Sequence, residues 1–136
     1  MRLEPLYSFT AALHPRQIGP TAEGLRMDVK FEGDLDAGGR LTGHLRAINY
    51  LTVRQDGVQH LDVRGVVTSP EGDVVAFKAT GLAVPAVGGV ATVRDAATYQ
   101  TASTKLAWLN STVGFLAGKA DLKKGELRLS AYTLEE

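Results

Sequence analysis

The sequence predicts an all-β protein, a single antiparallel β-barrel of about eight or nine strands with little helix. Three observations lead to this prediction. Apolar and polar residues alternate over short stretches, turn signals containing Gly or Pro recur about every ten residues, and no convincing helical run is present. Composition agrees, because Val, Leu, Ala and Thr dominate and 15 glycines interrupt them. No repeat, linker or low-complexity segment divides the chain, so residues 1–136 are taken as one domain.

The strands are predicted from this alternation and from the turns that bound it. Leu25 to Phe31 is the clearest case, with apolar residues at every second position. Pro70-Glu71-Gly72 predicts the best hairpin turn, and His14-Pro15 is expected to stop the first strand. A short helical turn is expected within residues 104–110. Strands are predicted at residues 3–13, 25–31, 40–50, 58–69, 73–80, 90–101, 111–117 and 126–134.

Charge and cysteine content exclude several classes of protein. Lys plus Arg equals Asp plus Glu at 15 each, whereas nucleic-acid binding usually needs a basic excess, so no nucleic-acid partner is expected. The absence of cysteine removes disulfides and thiolate chemistry and fits a reducing compartment. The start lacks the apolar run of a signal peptide, and no stretch approaches the ~20 apolar residues that span a bilayer. The sequence therefore predicts a cytoplasmic protein without a membrane partner.

His60, Asp62 and Arg64 alternate along one predicted strand and share one of its faces. In one interpretation they point into the barrel, where Asp62 and Arg64 fix a ligand and His60 moves a proton. In the other they form a solvated outer face, while Leu61 and Val63 fill the core. The rule that apolar faces point inward favours the outer face.

Four further side chains are candidates for contact with a ligand. Tyr50 and Tyr99 could each line a cavity with the ring and aim a hydroxyl at a ligand, or pack at the barrel rim. Trp108, with Leu109, is expected to plug one end of the barrel. Asn110 is expected to bond backbone groups at a turn, the alternative being a ligand-facing amide at the mouth of the barrel.

The motifs of cofactor and metal chemistry are missing. The chain has three histidines, without an HxH or HxxxH pair, so no metal site is predicted. GxGxxG, Walker-type and GxSxG sequences are also missing. We therefore expect no cofactor.

Residues 41–43, 56–64 and 107–110 resemble segments of the DUF3237 family, also labelled UPF0311, of uncharacterised bacterial proteins. Leu41-Thr42-Gly43 is similar to its leucine-x-glycine strand, and Asp56-Gly57 followed by 61–64 resembles its aspartate-glycine turn and aspartate-alanine-arginine strand. Ala107-Trp108-Leu109-Asn110 resembles its most specific signature. The resemblance covers nearly the whole chain and implies a β-barrel fold without a settled activity.

The chain also departs from the family pattern. Ala47 to Leu51 is shorter than the glycine-rich loop that ends in aspartate-tryptophan in the family, and lacks both of those residues. Gln100 stands where the family often has glutamate. If those acidic and aromatic groups serve catalysis elsewhere in the family, part of the set is missing here.

Three hypotheses about function follow. The first is a small-molecule-binding barrel that holds a small apolar or aromatic ligand in its interior, with Arg64, Tyr50, Trp108 and Asn110 as anchors. The second is a cofactor-independent isomerase, lyase or cyclase that uses His60, Asp62 and Tyr99 on a small organic metabolite. The third is a structural or interaction protein, a homodimer, with the apolar strand at 111–117 in a subunit contact.

Overall fold

The computed structural model describes residues 1–135, most of which lie in strands. A 3₁₀ turn occupies Val87–Gly89 and a second one Ala107–Ser111, which overlaps the range 104–110 predicted for a short helical turn. The strands are β1 (Arg2–Thr21), β2 (Gly24–Asp34), β3 (His44–Val53), β4 (Gln59–Thr68), β5 (Val74–Pro85), β6 (Val90–Thr101), β7 (Val113–Asp121) and β8 (Glu126–Glu135).

The eight strands form one closed antiparallel barrel in which each strand pairs with its neighbours in sequence. The ring closes where β1 pairs with β8, for example at Leu3 opposite Leu134. This up-and-down order confirms the predicted all-β barrel. No helix in residues 1–135 has the length and hydropathy needed to span a bilayer.

The first strand is longer than the sequence predicts, because β1 continues through Pro15 to Thr21. Residues 2–12 of β1 pair with β8, and residues 12–21 pair with β2. Pro15 therefore lies in a half of the strand that is paired on one side alone, where a missing N–H can face solvent without breaking a ladder. The expected stop at His14-Pro15 is wrong for this reason.

Alternate residues of every strand point into the barrel and form its core. The inward side chains of β4 and β6 show the pattern, with Leu61, Val63 and Val67 buried on β4 and Val93 and Ala97 on β6. This is the period of two that the sequence shows. Burial of these apolar side chains is the main favourable contribution to folding.

One end of the barrel is closed by two loops. The β2–β3 and β6–β7 loops bring buried leucines over this end, namely Leu35, Leu41, Leu106 and Leu109. The loops meet where the Arg40 guanidinium lies 4.3 Å from the centre of the Trp108 ring, a cation–π contact. The opposite end carries the β1–β2, β3–β4, β5–β6 and β7–β8 hairpins.

The apolar strand predicted at 111–117 corresponds to β7, which carries apolar residues on both of its faces. Gly114 and Leu116 point inward and are buried, whereas Val113 and Phe115 lie on the outer face and are 46% and 39% exposed. On β8, Tyr132 is paired with Phe115. That a second copy of the chain covers this face stays a prediction, which light scattering in solution would test.

Candidate functional site

The barrel encloses a cavity of about 220 Å³ in the half that faces the hairpins. Its wall is mostly apolar and includes inward side chains from six strands, namely Leu13, Val29, Leu51, Leu61, Val93 and Leu127. The strands place these residues there because each contributes its alternate, apolar positions to the interior. The strands therefore form most of the cavity wall, and the β5–β6 and β7–β8 connections add Gly89 and Leu122.

The depth of the cavity can be followed along β6. From the hairpin end inward, Ala91, Val93 and Asp95 line the cavity. The next two inward residues, Ala97 and Tyr99, are buried and do not line it. Asp95 thus lies at the floor of the cavity, and the half of the barrel beyond it is filled by side chains.

Asp95 is a buried acid with an unmet hydrogen-bonding need. The residue is 9% exposed, and within residues 1–135 its Oδ1 atom has no hydrogen-bond partner. Burial raises the pKa of this carboxyl to about 6, because the apolar surroundings disfavour the charged form. Gly81 is paired with Asp95 on β5 and gives the carboxyl room, since a Cβ at Gly81 would lie 2.5 Å from Oδ1.

Two tyrosines pack in the filled half of the barrel beyond Asp95. The hydroxyl oxygens of Tyr7 and Tyr99 are 2.8 Å apart, and the rings meet edge to face with centroids separated by 6.4 Å. Burial raises the pKa of Tyr99 to about 12. It also raises the pKa of Tyr7, with smaller contributions from Tyr99 and from the negative charge of Asp95. Both phenols are therefore neutral near neutral pH.

Two amide side chains add polar groups to the cavity wall. Asn49 and Gln59 both line it, Gln59 being the first residue of β4 after the β3–β4 hairpin turn. The Oδ1 atom of Asn49 accepts a hydrogen bond from the backbone N–H of Asp62 at 3.1 Å. A ligand in the cavity would thus meet polar groups at different depths within an otherwise apolar wall.

The structure places His60, Asp62 and Arg64 on the outer face of β4, where all three are exposed. Asp62 and Arg64 form an ion pair of 3.6 Å between Oδ1 and Nε, with both side chains more than half exposed. This is the outer-face alternative that the alternation favours. The acid–base hypothesis needs His60, Asp62 and Tyr99 to line one pocket. His60 and Asp62 face outward whereas Tyr99 is buried inside the barrel, so the hypothesis does not hold in that form.

The other predicted ligand-binding residues lie at different places. Tyr50 is exposed and borders an open outer groove together with the three residues of β4. Trp108 is half-buried at the closed end under Arg40. The Asn110 side chain accepts a hydrogen bond from the Thr101 N–H at 2.8 Å and donates one to the Thr101 carbonyl at 3.0 Å, which is the expected backbone role.

Asp95 and Tyr7 are the site residues that the sequence analysis missed. A signal for Asp95 is present, because this acid lies in phase with the apolar positions Val93, Ala97 and Tyr99 on one strand. An acid on the apolar face of a strand is the unusual observation, since Asp is almost never fully buried without a partner. Tyr7 offers no such signal, because a tyrosine on an apolar face is ordinary.

Solved structures share the barrel. A β-barrel-like protein from Acinetobacter baumannii has a TM-score of 0.86 and 21% identity and covers 98% of this chain and 96% of its own. A protein with unknown function from Clostridium acetobutylicum has a TM-score of 0.86, with 21% identity over 99% of this chain and 100% of its own. An enzyme from Penicillium herquei has a TM-score of 0.71, with 18% identity over 98% and 94%. At these identities the similarity establishes the fold alone.

Sequence comparison gives the family. No curated protein matches this sequence significantly. The family described as "Protein of unknown function (DUF3237)" matches residues 1–134, nearly the whole chain. The match includes Ala107-Trp108-Leu109-Asn110, the segment with the most specific resemblance, and every strand but the last residue of β8. The chain belongs to the DUF3237 family.

Proposed function

We propose that the protein binds a small, largely apolar organic molecule in the barrel cavity, with Asp95 as its polar anchor. The observation that carries this proposal is the buried carboxyl at the floor of an apolar cavity, whose Oδ1 has no partner within residues 1–135. A buried polar atom of this kind costs free energy unless something satisfies it. Oδ1 packs towards Gly81 on β5, so a ligand would meet this need once the Asp95 carboxyl turns towards the cavity that the residue lines.

The size of the cavity supports a small ligand. A dry apolar cavity of about 150 Å³ holds a benzene molecule, and the cavity here is about 220 Å³. One aromatic ring with a short substituent fits that space. Transfer of such a ring from water would be favourable by roughly 25 cal/mol for each Å² of apolar surface that is buried.

A thermal-shift screen of small aromatic and lipid-like molecules, followed by calorimetry on each hit, tests the proposal. Val93→Phe fills the cavity from its wall and should abolish binding. Thr98→Phe places the same ring on the outer face of the same strand and should leave binding intact. Absence of any hit over a broad panel, or equal binding by Val93→Phe, would contradict the proposal.

A second candidate function is cofactor-independent acid–base catalysis on such a molecule, of the isomerase, lyase or cyclase kind. Asp95 favours it, because a carboxyl with a pKa of about 6 can take and return a proton near neutral pH. The similar structure from Penicillium herquei is described as an enzyme, which agrees with catalysis on this fold.

Hydrogen exchange of a bound ligand separates the two functions. In D₂O an acid–base enzyme should exchange an acidic C–H of a carbonyl-containing ligand faster than the buffer does, and Asp95→Asn should remove that acceleration. A ligand whose binding is lost in Val93→Phe, but whose C–H exchanges with D₂O no faster than in buffer, would support binding without catalysis.

A further inference from the structure

In the described part of the chain, the lining of the cavity carries an acidic group and no basic one. Asp95 is the one ionisable side chain of residues 1–135 that lines it, and within that part of the chain no His, Lys or Arg side chain does so. The remaining polar side chains are the amides of Asn49 and Gln59. The interior thus offers a ligand one acidic group and no positive charge.

The neighbouring groups do not change this balance. Tyr7 and Tyr99 lie beyond the floor, outside the lining, and their hydroxyls are hydrogen-bonded to each other. Opposite Asp95, β5 contributes Gly81 and β7 contributes Leu116, neither of which carries charge. Lys123 packs against Gly89 at the hairpin end of the cavity, and in the described part of the barrel no cation lines the floor beside Asp95 to neutralise a second negative charge.

We propose that the cavity selects small ring compounds that carry a hydrogen-bond donor, an alcohol or an amine, and rejects the corresponding carboxylates. This inference rests on the proposed ligand-binding function and names its ligand class. A donor group in the cavity would hydrogen-bond to the Asp95 carboxyl, which lines the floor, and an ammonium would also neutralise its charge.

The exclusion of carboxylates has a separate physical cause. A carboxylate ligand would bring a second anion into an apolar space next to Asp95, and two acids at close distance cannot both remain ionised without cost. Burial of an unpaired charge adds a desolvation penalty. Specificity would thus come from repulsion as much as from attraction.

Four compounds with one benzene ring test the inference by calorimetry at pH 7.5: benzylamine, benzyl alcohol, toluene and benzoate. We expect benzylamine and benzyl alcohol to bind at least about tenfold more tightly than benzoate, which is the scale of one hydrogen bond to a charged group. Toluene should bind more weakly than both donors, because it fills the cavity without donating a hydrogen bond to the Asp95 carboxyl.

The variant Asp95→Asn keeps the shape of the side chain and removes its charge. We expect it to lose about tenfold in affinity for benzylamine, to gain affinity for benzoate and to bind toluene unchanged. Thr98→Phe, on the outer face, is the matched control and should keep the wild-type order of affinities.

The outcomes separate this inference from the proposed function. If toluene and benzoate bind as tightly as benzylamine, the cavity binds ligands but the donor preference is overturned. If neither these four compounds nor any member of the broad panel binds, or if Val93→Phe binds them as the wild type does, the proposed function fails and this inference fails with it. Asp95→Asn with wild-type affinity for benzylamine would also overturn the inference.

Discussion

At the scale of single residues, Asp95 stands out because its position on β6 is one that an apolar residue would ordinarily fill. Its neighbours on the same face, Val93 and Ala97, are buried, and the acid shares their environment. A carboxyl that is kept in such surroundings lowers the stability of the folded state whenever it is ionised. The fold therefore carries a local cost at the floor of its cavity.

Asp95→Asn should make stability less sensitive to pH. The pKa of Asp95 is raised from 3.8 to about 6 in the folded state, so the folded protein holds this proton more tightly than the unfolded chain does. Stability therefore falls as pH rises through this range, by about 3 kcal/mol at 1.36 kcal/mol for each pKa unit. Urea unfolding should show the variant gaining that amount over the wild type as the pH rises from well below 3.8 to 7. A constant difference would contradict the raised pKa.

His44, on the surface of the barrel, lies between two carboxylates that raise its pKa. Its Nδ1 lies 2.8 Å from Oδ1 of Asp34 and its Nε2 lies 2.6 Å from Oε2 of Glu32. Both ring nitrogens can donate only in the protonated form, so these carboxylates, Asp34 first, raise the pKa of His44 above 6.5. The contribution to stability is complete below pH 6.5 and is lost as pH rises through the folded-state pKa.

An NMR titration of the His44 ring measures this pKa directly. The double variant Glu32→Gln, Asp34→Asn keeps the size of both partners and removes their charges. We expect it to return the pKa of His44 toward 6.5. The same titration midpoint in both proteins would show that the two carboxylates do not hold the proton.

At the scale of elements, glycines on neighbouring strands make room for the inward polar side chains of β6. Gly81 on β5 faces Asp95, and Gly114 on β7 faces Tyr99. A Cβ at Gly114 would lie 2.4 Å from the Tyr99 hydroxyl oxygen, closer than packing allows. Each of these polar side chains on β6 therefore depends on a glycine of a neighbouring strand for the space it occupies.

Gly114→Ala should destabilise the barrel by about 1–3 kcal/mol, the usual cost of overpacking a core. The φ of Gly114 is not positive, so the backbone itself would accept alanine. In the background of Tyr99→Phe the cost should be smaller, because the hydroxyl that clashes is gone. Urea unfolding of the four proteins in this cycle measures the coupling, and an equal cost in both backgrounds would contradict the proposed contact.

Much of the strand pattern could be predicted from the sequence, and the exceptions have physical causes. The bounds of β6 follow from clear alternation after Gly88-Gly89, and β1 was cut short because a proline at a half-paired position looks like a strand end. The start of β3 was placed too early, at residue 40 instead of His44, because Leu41 is buried within the closing loop and is not part of the strand. Cavity depth depends on the combined volume of side chains from many strands, which no local pattern encodes.

At the scale of the whole molecule, closure of the ring brings the two ends of the chain together. Arg2 is paired with Glu135, so residues far apart in sequence are adjacent in space. Chain ends that lie close together can be joined, and new ends can be made at another exposed turn. We therefore expect the barrel to form from the same strands when the chain begins at a different strand.

A circular permutant tests this view of the barrel. A short Gly/Ser linker joins the present ends, and new ends are opened between Glu71 and Gly72 in the exposed β4–β5 turn. We expect the native circular dichroism spectrum and a cooperative urea transition. Opening instead between Ala96 and Ala97, within a strand that is paired on both sides, should prevent folding. A folded second permutant and an unfolded first one would contradict the argument.

The buried leucines Leu35, Leu41, Leu106 and Leu109 give the barrel a blind end. A ligand that enters the cavity between the hairpins must leave by the same end, because the leucines close the other end. If the bound ligand were cleaved into two products, the product next to Asp95 could leave only after the product nearer the hairpins. Product release would then be ordered, and a bulky substituent on the product nearer the hairpins would slow the release of both products.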